Sequence, residues 1–247
     1  MANKLGSKRK TRARRMLALF EYVWVLSRTH LNETQLDIEY DHLEDGSKRS
    51  VGEIRSTFRY ARIRGQIFPD AVLSRLEADP AMSGLARHVS SVFWELLENP
   101  PVMRGQARVL VDKSLGRLGG MRFIGGQNPG GNHLGSSPGC SDFFGTADCR
   151  QGTKGMVKQL IATRPNSLDL IALLGALSRE AWFCFQAEEA EYFGTQFWIL
   201  LQDFLSQPGM EKLEGVLDEY AVDRVVFWRD ESKCGDAWFP DGEETLP

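Results

Sequence analysis

Three arginines, Arg55, Arg59 and Arg62, follow one another at intervals of four and three residues. On an α-helix this spacing places all three along one side. A guanidinium group donates paired hydrogen bonds to phosphate oxygens, so a row of arginines suits the backbone of a nucleic acid. Within 48–64 the single acidic residue is Glu53, and the further cations are Lys48, Arg49 and Arg64. This cluster is the first candidate for a nucleic-acid contact, and nothing in it indicates base recognition.

The helix that would carry these arginines has a clear start signal. Ser50 and Glu53 match the S-x-x-E capping box, in which each side chain accepts a hydrogen bond from a backbone N–H group of the other's turn. We therefore predict a helix over 51–64, ended by Gly65. Its second, apolar side consists of Ile54, Phe58 and Ala61.

A second basic cluster lies at the N-terminus, where the first 15 residues hold seven basic side chains and no acidic one. Like charges repel, and almost nothing apolar offsets the cost of ordering them, so the composition predicts a disordered tail over 1–15. A mobile cationic tail adds sequence-independent affinity for phosphate. Its candidate contacts are Lys8, Arg9, Lys10, Arg12, Arg14 and Arg15.

The tail and the apolar run after it imitate an export signal. Glu21 interrupts that run, however, and no small-x-small cleavage pattern follows it. The four cysteines form no C-x-x-C pair and are too sparse for the disulfide framework of a small secreted protein. We expect a cytoplasmic protein in a reducing compartment, without a membrane-spanning helix.

The segment 116–155 contains 12 of the 24 glycines and predicts a long loop, because glycine loses the most backbone freedom on ordering. Arg117 and Arg122 within it are further candidate phosphate contacts. The letters from Gly135 to Gly139 match the G-x-S-x-G motif of hydrolases, but Pro138 has no N–H group for an oxyanion hole. The same stretch lacks the lysine of a phosphate-binding loop. We therefore do not expect an enzyme.

No residue pattern predicts a metal or cofactor. His133, Cys140 and Cys149 lack the short paired spacings of structural zinc sites. Three glutamates near the start of the C-terminal region lack the Glu-x-x-His partners of a di-iron bundle and are interpreted as an exposed face at a break between helices. They are Glu188, Glu189 and Glu191.

The supporting elements are mostly helical. Predicted helices cover 12–28, 51–64, a segment from Pro69 to before Pro80, 82–98, 167–185, 195–205 and 210–221. Helix 167–185 is apolar nearly all round and should be central. Short strands are possible at 35–40 and 225–228, and 102–115 fits either structure. The chain divides into a basic tail (1–15), a basic helical region (16–115), a glycine-rich loop (116–155) and an acidic helical region (156–247). The fold class is mainly α, with at most a minor β-hairpin.

Charge is distributed unevenly along this chain. Residues 165–247 contain 17 acidic and 5 basic side chains, although the whole chain has a net charge of only −3. Such asymmetry indicates a polyanionic partner for the basic part. The sequence thus favours a non-enzymatic protein that binds DNA or RNA, or a subunit of a nucleoprotein complex, whose acidic part docks on another protein. The alternative is a protein–protein adaptor, or an attraction between the two parts of the chain itself.

Overall fold

The computed structural model describes residues 11–41, 57–119, 143–164 and 166–226. Throughout these ranges the regular structure is helical and no β-strand occurs, which confirms the mainly α prediction. The helices are α1 (Arg12–Arg28), α2 (Glu33–Leu36), α3 (Thr57–Arg64), α4 (Asp70–Ala78), α5 (Leu85–Val89), α6 (Val92–Glu98), α7 (Arg104–Arg117), α8 (Ala147–Thr163), α9 (Leu168–Phe183), α10 (Ala187–Leu205) and α11 (Leu217–Val225). A π-helical turn covers Asp37–Asp41, and 3₁₀ turns cover Pro80–Met82 and Glu211–Leu213.

Helix α9 is the centre of the molecule, as its apolar sequence predicts. Every residue from Leu168 to Ala181 is buried, and the helix packs against α6, α7, α8, α10 and α11. Burying one leucine side chain contributes about 1.5–3 kcal/mol, so a helix buried on all sides concentrates much of the stability of the fold.

Two glycines allow the close packing around this centre. A Cβ atom at Gly175 of α9 would lie 2.6 Å from Val225 Cγ1 and 2.8 Å from Leu96 Cδ2. A Cβ atom at Gly194 of α10 would lie 2.8 Å from Val226 Cγ1. The end of α11 therefore reaches α9 and α10 only because both positions lack a side chain.

Helix α1 joins the N-terminal elements to the same core through aromatic contacts. The ring of Phe20 lies 5.4 Å from that of Trp94 in α6 and 6.2 Å from that of Phe204 in α10, measured between centroids. Buried apolar residues from α1 to α11 form a single cluster. The basic and acidic regions of the sequence thus share one core.

The short strand considered at 35–40 is wrong, because a capping signal at its start was missed. Asn32 and Gln35 form a reciprocal capping box, with side-chain-to-backbone hydrogen bonds of 3.0 and 2.9 Å. Leu36 and Tyr40 are buried while Ile38 is 60% exposed. Leu36 and Tyr40 are four residues apart, a spacing that fits one face of a helix as well as one face of a strand. The capping box at Asn32 favours the helix.

Three other boundaries differ for similar local reasons. The helix predicted at 82–98 is split into α5 and α6, since the Ser91 hydroxyl accepts a hydrogen bond from the N–H of Phe93 at 3.2 Å and starts a new helix. The predicted helix at 210–221 is a 3₁₀ turn and α11, separated by Gly215 at φ +76°. Val225 ends α11 instead of opening a strand.

The segment 116–155, predicted as a glycine-rich loop, is helical at both ends in the structure. Helix α7 continues to Arg117, and α8 begins at Ala147, capped by the Thr146 hydroxyl, which accepts from the N–H of Cys149 at 3.2 Å. Glycine costs about 1 kcal/mol within a helix, and α8 contains Gly152 and Gly155. Buried Met156, Val157 and Leu160 offset that cost. The remainder of the predicted loop, 120–142, lies outside the described residues.

Candidate nucleic-acid interface

Helix α3 has the two faces that its sequence predicts. Phe58 and Ala61 are buried, whereas Arg59, Arg62 and Arg64 are exposed. The capping residues Ser50 and Glu53, which precede this helix in the sequence, lie outside the described residues. So do seven of the candidate contacts, namely Lys8, Arg9, Lys10, Lys48, Arg49, Arg55 and Arg122.

The N-terminal arginines closest to the fold are helical. Helix α1 begins at Arg12, because the Thr11 hydroxyl accepts a hydrogen bond from the N–H of Arg14. Residues 12–15, which the sequence predicts both as the end of a disordered tail and as the start of a helix at 12–28, therefore form the first turn of α1, as the helix prediction has it. In this turn Ala13 is buried, and Arg12, Arg14 and Arg15 are exposed. Ala13 packs on the core and anchors this turn, which a count of charged residues does not reveal.

The first turn of α1 lies against the end of α3. Gly65, directly after α3, adopts φ +57°, and a Cβ atom there would lie only 2.6 Å from Cγ of Arg15. Two clusters that are 40 residues apart in sequence are thus neighbours in space. We call their six exposed arginines the arginine surface: Arg12, Arg14, Arg15, Arg59, Arg62 and Arg64.

Two half-buried glutamates, Glu33 and Glu98, form ion pairs with arginines of this surface. Nε of Arg62 lies 2.6 Å from Oε1 of Glu33, and Nε of Arg14 lies 3.1 Å from Oε1 of Glu98. The Arg62 hydrogen bond is the main cause that lowers the pKa of Glu33. Ion pairs between solvent-exposed groups contribute only about 0–1 kcal/mol, so these arginines can exchange a carboxylate for a phosphate at little cost.

Two arginines of the surface are stacked on aromatic rings. The guanidinium carbon of Arg12 lies 4.8 Å from the centroid of Tyr220, and that of Arg64 lies 4.5 Å from the centroid of Tyr60. Stacking uses the flat face of the guanidinium group and consumes none of its N–H donors. The rings therefore help to hold these two cations in place.

Arg117 has a different role from the one that its charge indicated. Its Nε atom lies 3.2 Å from Oδ2 of Asp169, and it also donates to the Ser90 hydroxyl at 2.8 Å. Asp169 is 2% exposed and accepts two more hydrogen bonds, from the hydroxyl of Ser91 and the N–H of Val92. Arg117 therefore compensates a buried carboxylate, and its removal would leave that charge in the core.

Two further acidic residues of the C-terminal region are buried and paired with cations from earlier in the chain. Glu180, which is 0% exposed, accepts hydrogen bonds from Nε of Arg108 at 2.9 and 3.1 Å, with Arg104 at 3.8 Å. Glu189 lies 3.4 Å from Arg150 and 3.2 Å from Lys154. The interpretation of Glu189 as part of an exposed face is thus wrong, since it is 6% exposed, while Glu188 and Glu191 are exposed as predicted.

Attraction between the two parts of the chain is therefore real but local. Asp169, Glu180 and Glu189 attract cations of α7 and α8, whereas the ion pairs of Arg14 and Arg62 are with Glu98 and Glu33, both outside the acidic third. We call these three acids, together with Arg104, Arg108 and Arg117 of α7 and Arg150 and Lys154 of α8, the internal ion-pair cluster. For Asp169 and Glu180 the signal in the sequence is that each is a charged residue inside the apolar helix 167–185, whereas the burial of Glu189 and the partners of all three acids do not follow from sequence spacing.

The residues that the structure describes contain no group of three or more His, Cys, Asp or Glu side chains arranged to hold a metal ion. No helix among them is both long and apolar enough to cross a membrane. Cys184 is half-buried, and Cys149 is disulfide-bonded, which differs from the expectation of a reducing compartment.

Comparison with known proteins gives no match: no family model, no curated protein and no solved structure resembles the chain.

Proposed function

We propose that the protein binds nucleic acid, DNA or RNA, through the phosphate backbone and without catalysis, alone or as a subunit of a nucleoprotein complex. The observation that carries this proposal is the contact between the first turn of α1 and the end of α3 at Arg15 and Gly65. It brings the exposed Arg12, Arg14 and Arg15 of the first turn of α1 next to the helix that carries the exposed Arg59, Arg62 and Arg64. An excess of cations held on a folded surface is the electrostatic feature that backbone binding requires.

The mode of binding follows from the residue types. Arginine on a phosphate fixes position and contributes affinity, but it does not distinguish one base pair from another. Cations elsewhere in the sequence, Lys8, Arg9, Lys10, Lys48, Arg49 and Arg55, extend the same positive segments. We therefore propose affinity that is independent of sequence and decreases steeply with salt.

A second candidate function is a protein–protein adaptor, and one surface of the acidic region favours it. A cleft of about 300 Å³ between α10 and α11 is lined by Trp198, Asp218, Glu219, Val222 and Asp223. Trp198 is 44% exposed. An exposed indole beside three carboxylates suits a basic segment of a partner protein that carries an apolar side chain. In a nucleoprotein complex the same cleft would hold the protein partner.

Fluorescence anisotropy with labelled duplexes of unrelated sequence tests the first proposal. The test variant is Arg59→Gln/Arg62→Gln, because both arginines are exposed and glutamine has nearly the same helix propensity. The matched control is Lys158→Gln/Lys212→Gln, which also removes two exposed positive charges but lies on α8 and a 3₁₀ turn.

We expect the wild type and the control to bind all duplexes alike, and the test variant to bind each of them about tenfold or more weakly, which corresponds to ~1.4 kcal/mol. Equal weakening of the test and control variants would show that only net charge matters. Absence of binding to duplex and single strands at low salt would rule out the proposal and leave the adaptor function.

A further inference from the structure

A polar cleft on other elements of the protein has the composition of an anion site. It lies where the end of α5, the end of α8 and the start of α9 meet, and it has a volume of about 430 Å³. Its lining consists of Arg87, Thr163, Arg164, Asn166 and Ser167. None of these side chains is acidic.

The two arginines of the cleft differ from those of the internal ion-pair cluster. Within the described residues neither Arg87 nor Arg164 makes a salt bridge or a side-chain hydrogen bond. Arg164 is half-buried and extends past Gly119, where a Cβ atom would lie 3.3 Å from its Nη2 atom. Gly119 adopts φ +134°, so the backbone that leaves room for this guanidinium is one that glycine favours.

Asp169, in the first turn of α9, is the acidic residue closest in sequence to the cleft. It is already bound by Arg117, the Ser91 hydroxyl and the N–H of Val92. Its charge is thus offset by Arg117, and the charged side chains on the lining of the cleft itself are Arg87 and Arg164.

Ser167 provides an observation that is independent of charge. It is 7% exposed and lines the cleft, yet its side chain does not cap α9 and makes no hydrogen bond within the described residues. The Ser167 hydroxyl is therefore not used by the described residues, and it lies on the lining of the cleft at the start of the 16-residue helix α9.

The start of α9 also has backbone donors to offer. The first amides of the helix that bond within it are those of Leu170 and Ile171, both to the carbonyl of Ser167. The N–H groups of a first helical turn otherwise lack partners, and the helix dipole is positive there. At the end of α8, the single proton of the Thr163 hydroxyl is shared between the carbonyls of Gln159 at 3.0 Å and Leu160 at 3.3 Å, and the Leu160 carbonyl also accepts from the N–H of Arg164.

We propose that this cleft binds the phosphate group of a small phosphate monoester. A monoester dianion matches the excess charge of Arg87 and Arg164, and its oxygens accept hydrogen bonds from the hydroxyl of Ser167 and the first amides of α9. The volume belongs to the lower part of the range for small-molecule sites, about 300–1,000 Å³. This site is separate from the arginine surface and depends on different residues.

Isothermal titration calorimetry with inorganic phosphate and with methyl phosphate tests the proposal, with sodium chloride at equal ionic strength as the reference. The test variants are Arg87→Gln/Arg164→Gln and, independently, Ser167→Ala. The controls are Lys158→Gln/Lys212→Gln and Arg59→Gln/Arg62→Gln, each of which removes the same charge elsewhere. Thermal midpoints of all variants establish that they fold.

We expect saturable one-to-one binding of both ligands to the wild type, about tenfold weaker binding to Arg87→Gln/Arg164→Gln (~1.4 kcal/mol), and a smaller loss in Ser167→Ala. Both controls should bind phosphate as the wild type does. No saturable heat, or equal weakening in all three double variants, would overturn the proposal. A short duplex that displaces methyl phosphate one for one would also overturn it, by assigning the cleft to the nucleic-acid surface.

Discussion

The arginine surface and the internal ion-pair cluster use the same residue in opposite ways. Arg62 on the surface is exposed and contacts a half-buried glutamate, whereas Arg108 is half-buried and holds Glu180, which solvent does not reach. Removing a cation from water-exposed surroundings costs little, while removing one from a buried carboxylate leaves an uncompensated charge. Arginines of the first kind are available for a ligand, and those of the second kind maintain the fold.

The largest expected effect is on stability, in the internal cluster. Arg108→Met keeps the length of the side chain and removes its donors, so we expect unfolding to be easier by about 3–5 kcal/mol in urea denaturation. Replacing both partners, as in Arg108→Met/Glu180→Leu, should recover most of this loss, because no buried charge remains. A single variant as stable as the wild type would show that the pair is dispensable and would remove the distinction between the two regions.

A buried carboxylate without any cation sharpens the same contrast. Glu21 is 0% exposed, and one of its oxygens accepts from the N–H of Phe68 at 2.7 Å while the other has no partner among the described residues. Burial raises the pKa of Glu21 to about 8. The folded protein therefore holds this proton more tightly than the unfolded chain, and stability is lost as pH rises from about 4.5 to about 8.

Glu21→Gln should abolish this pH dependence. Glutamine stays neutral, so the variant should gain stability relative to the wild type between pH 5 and pH 8 by about 3 kcal/mol. Urea midpoints at several pH values measure the difference. Parallel pH profiles for the two proteins would show that Glu21 is ionised in the fold at neutral pH.

The smallest effect on stability is expected on the arginine surface. Arg62→Met, the counterpart of Arg108→Met, should leave the urea midpoint close to that of the wild type, because an exposed ion pair contributes little to stability. Glu33 keeps the hydrogen bond from the hydroxyl of Tyr22, at 2.7 Å. A urea midpoint lowered as far as in Arg108→Met would place Arg62 with the structural arginines and would weaken its assignment as a ligand contact.

The sequence predicts this fold well where periodicity is long and unambiguous. Helix α9 is recognisable as central because it is apolar on all sides, and α1 and α4 begin and end close to where spacing, Pro69 and Pro80 indicate. Short elements are less predictable, since Leu36 and Tyr40 fit two periods, and the cap at Asn32 decides between them.

The candidate site is predictable in kind but not in arrangement. Spacing shows that Arg59 and Arg62 share a helix face, but it does not show that Arg15 lies beside Gly65, because that contact depends on how α1 packs on α3. Nor does a charge count distinguish Arg117, bound to a buried carboxylate, from Arg164, which has no such partner. Burial decides the role of each arginine, and burial is a property of the assembled core.

The salt dependence of duplex binding tests the central claim most directly. The logarithm of the binding constant should fall linearly with the logarithm of the salt concentration, and the slope should shrink by about 0.9 for each phosphate contact removed on duplex. Arg59→Gln/Arg62→Gln should therefore flatten the slope by about 1.8 on every sequence, and Lys158→Gln/Lys212→Gln should leave it unchanged. A wild-type slope near zero, or an identical slope in Arg59→Gln/Arg62→Gln, would contradict the claim that this surface binds the nucleic-acid backbone.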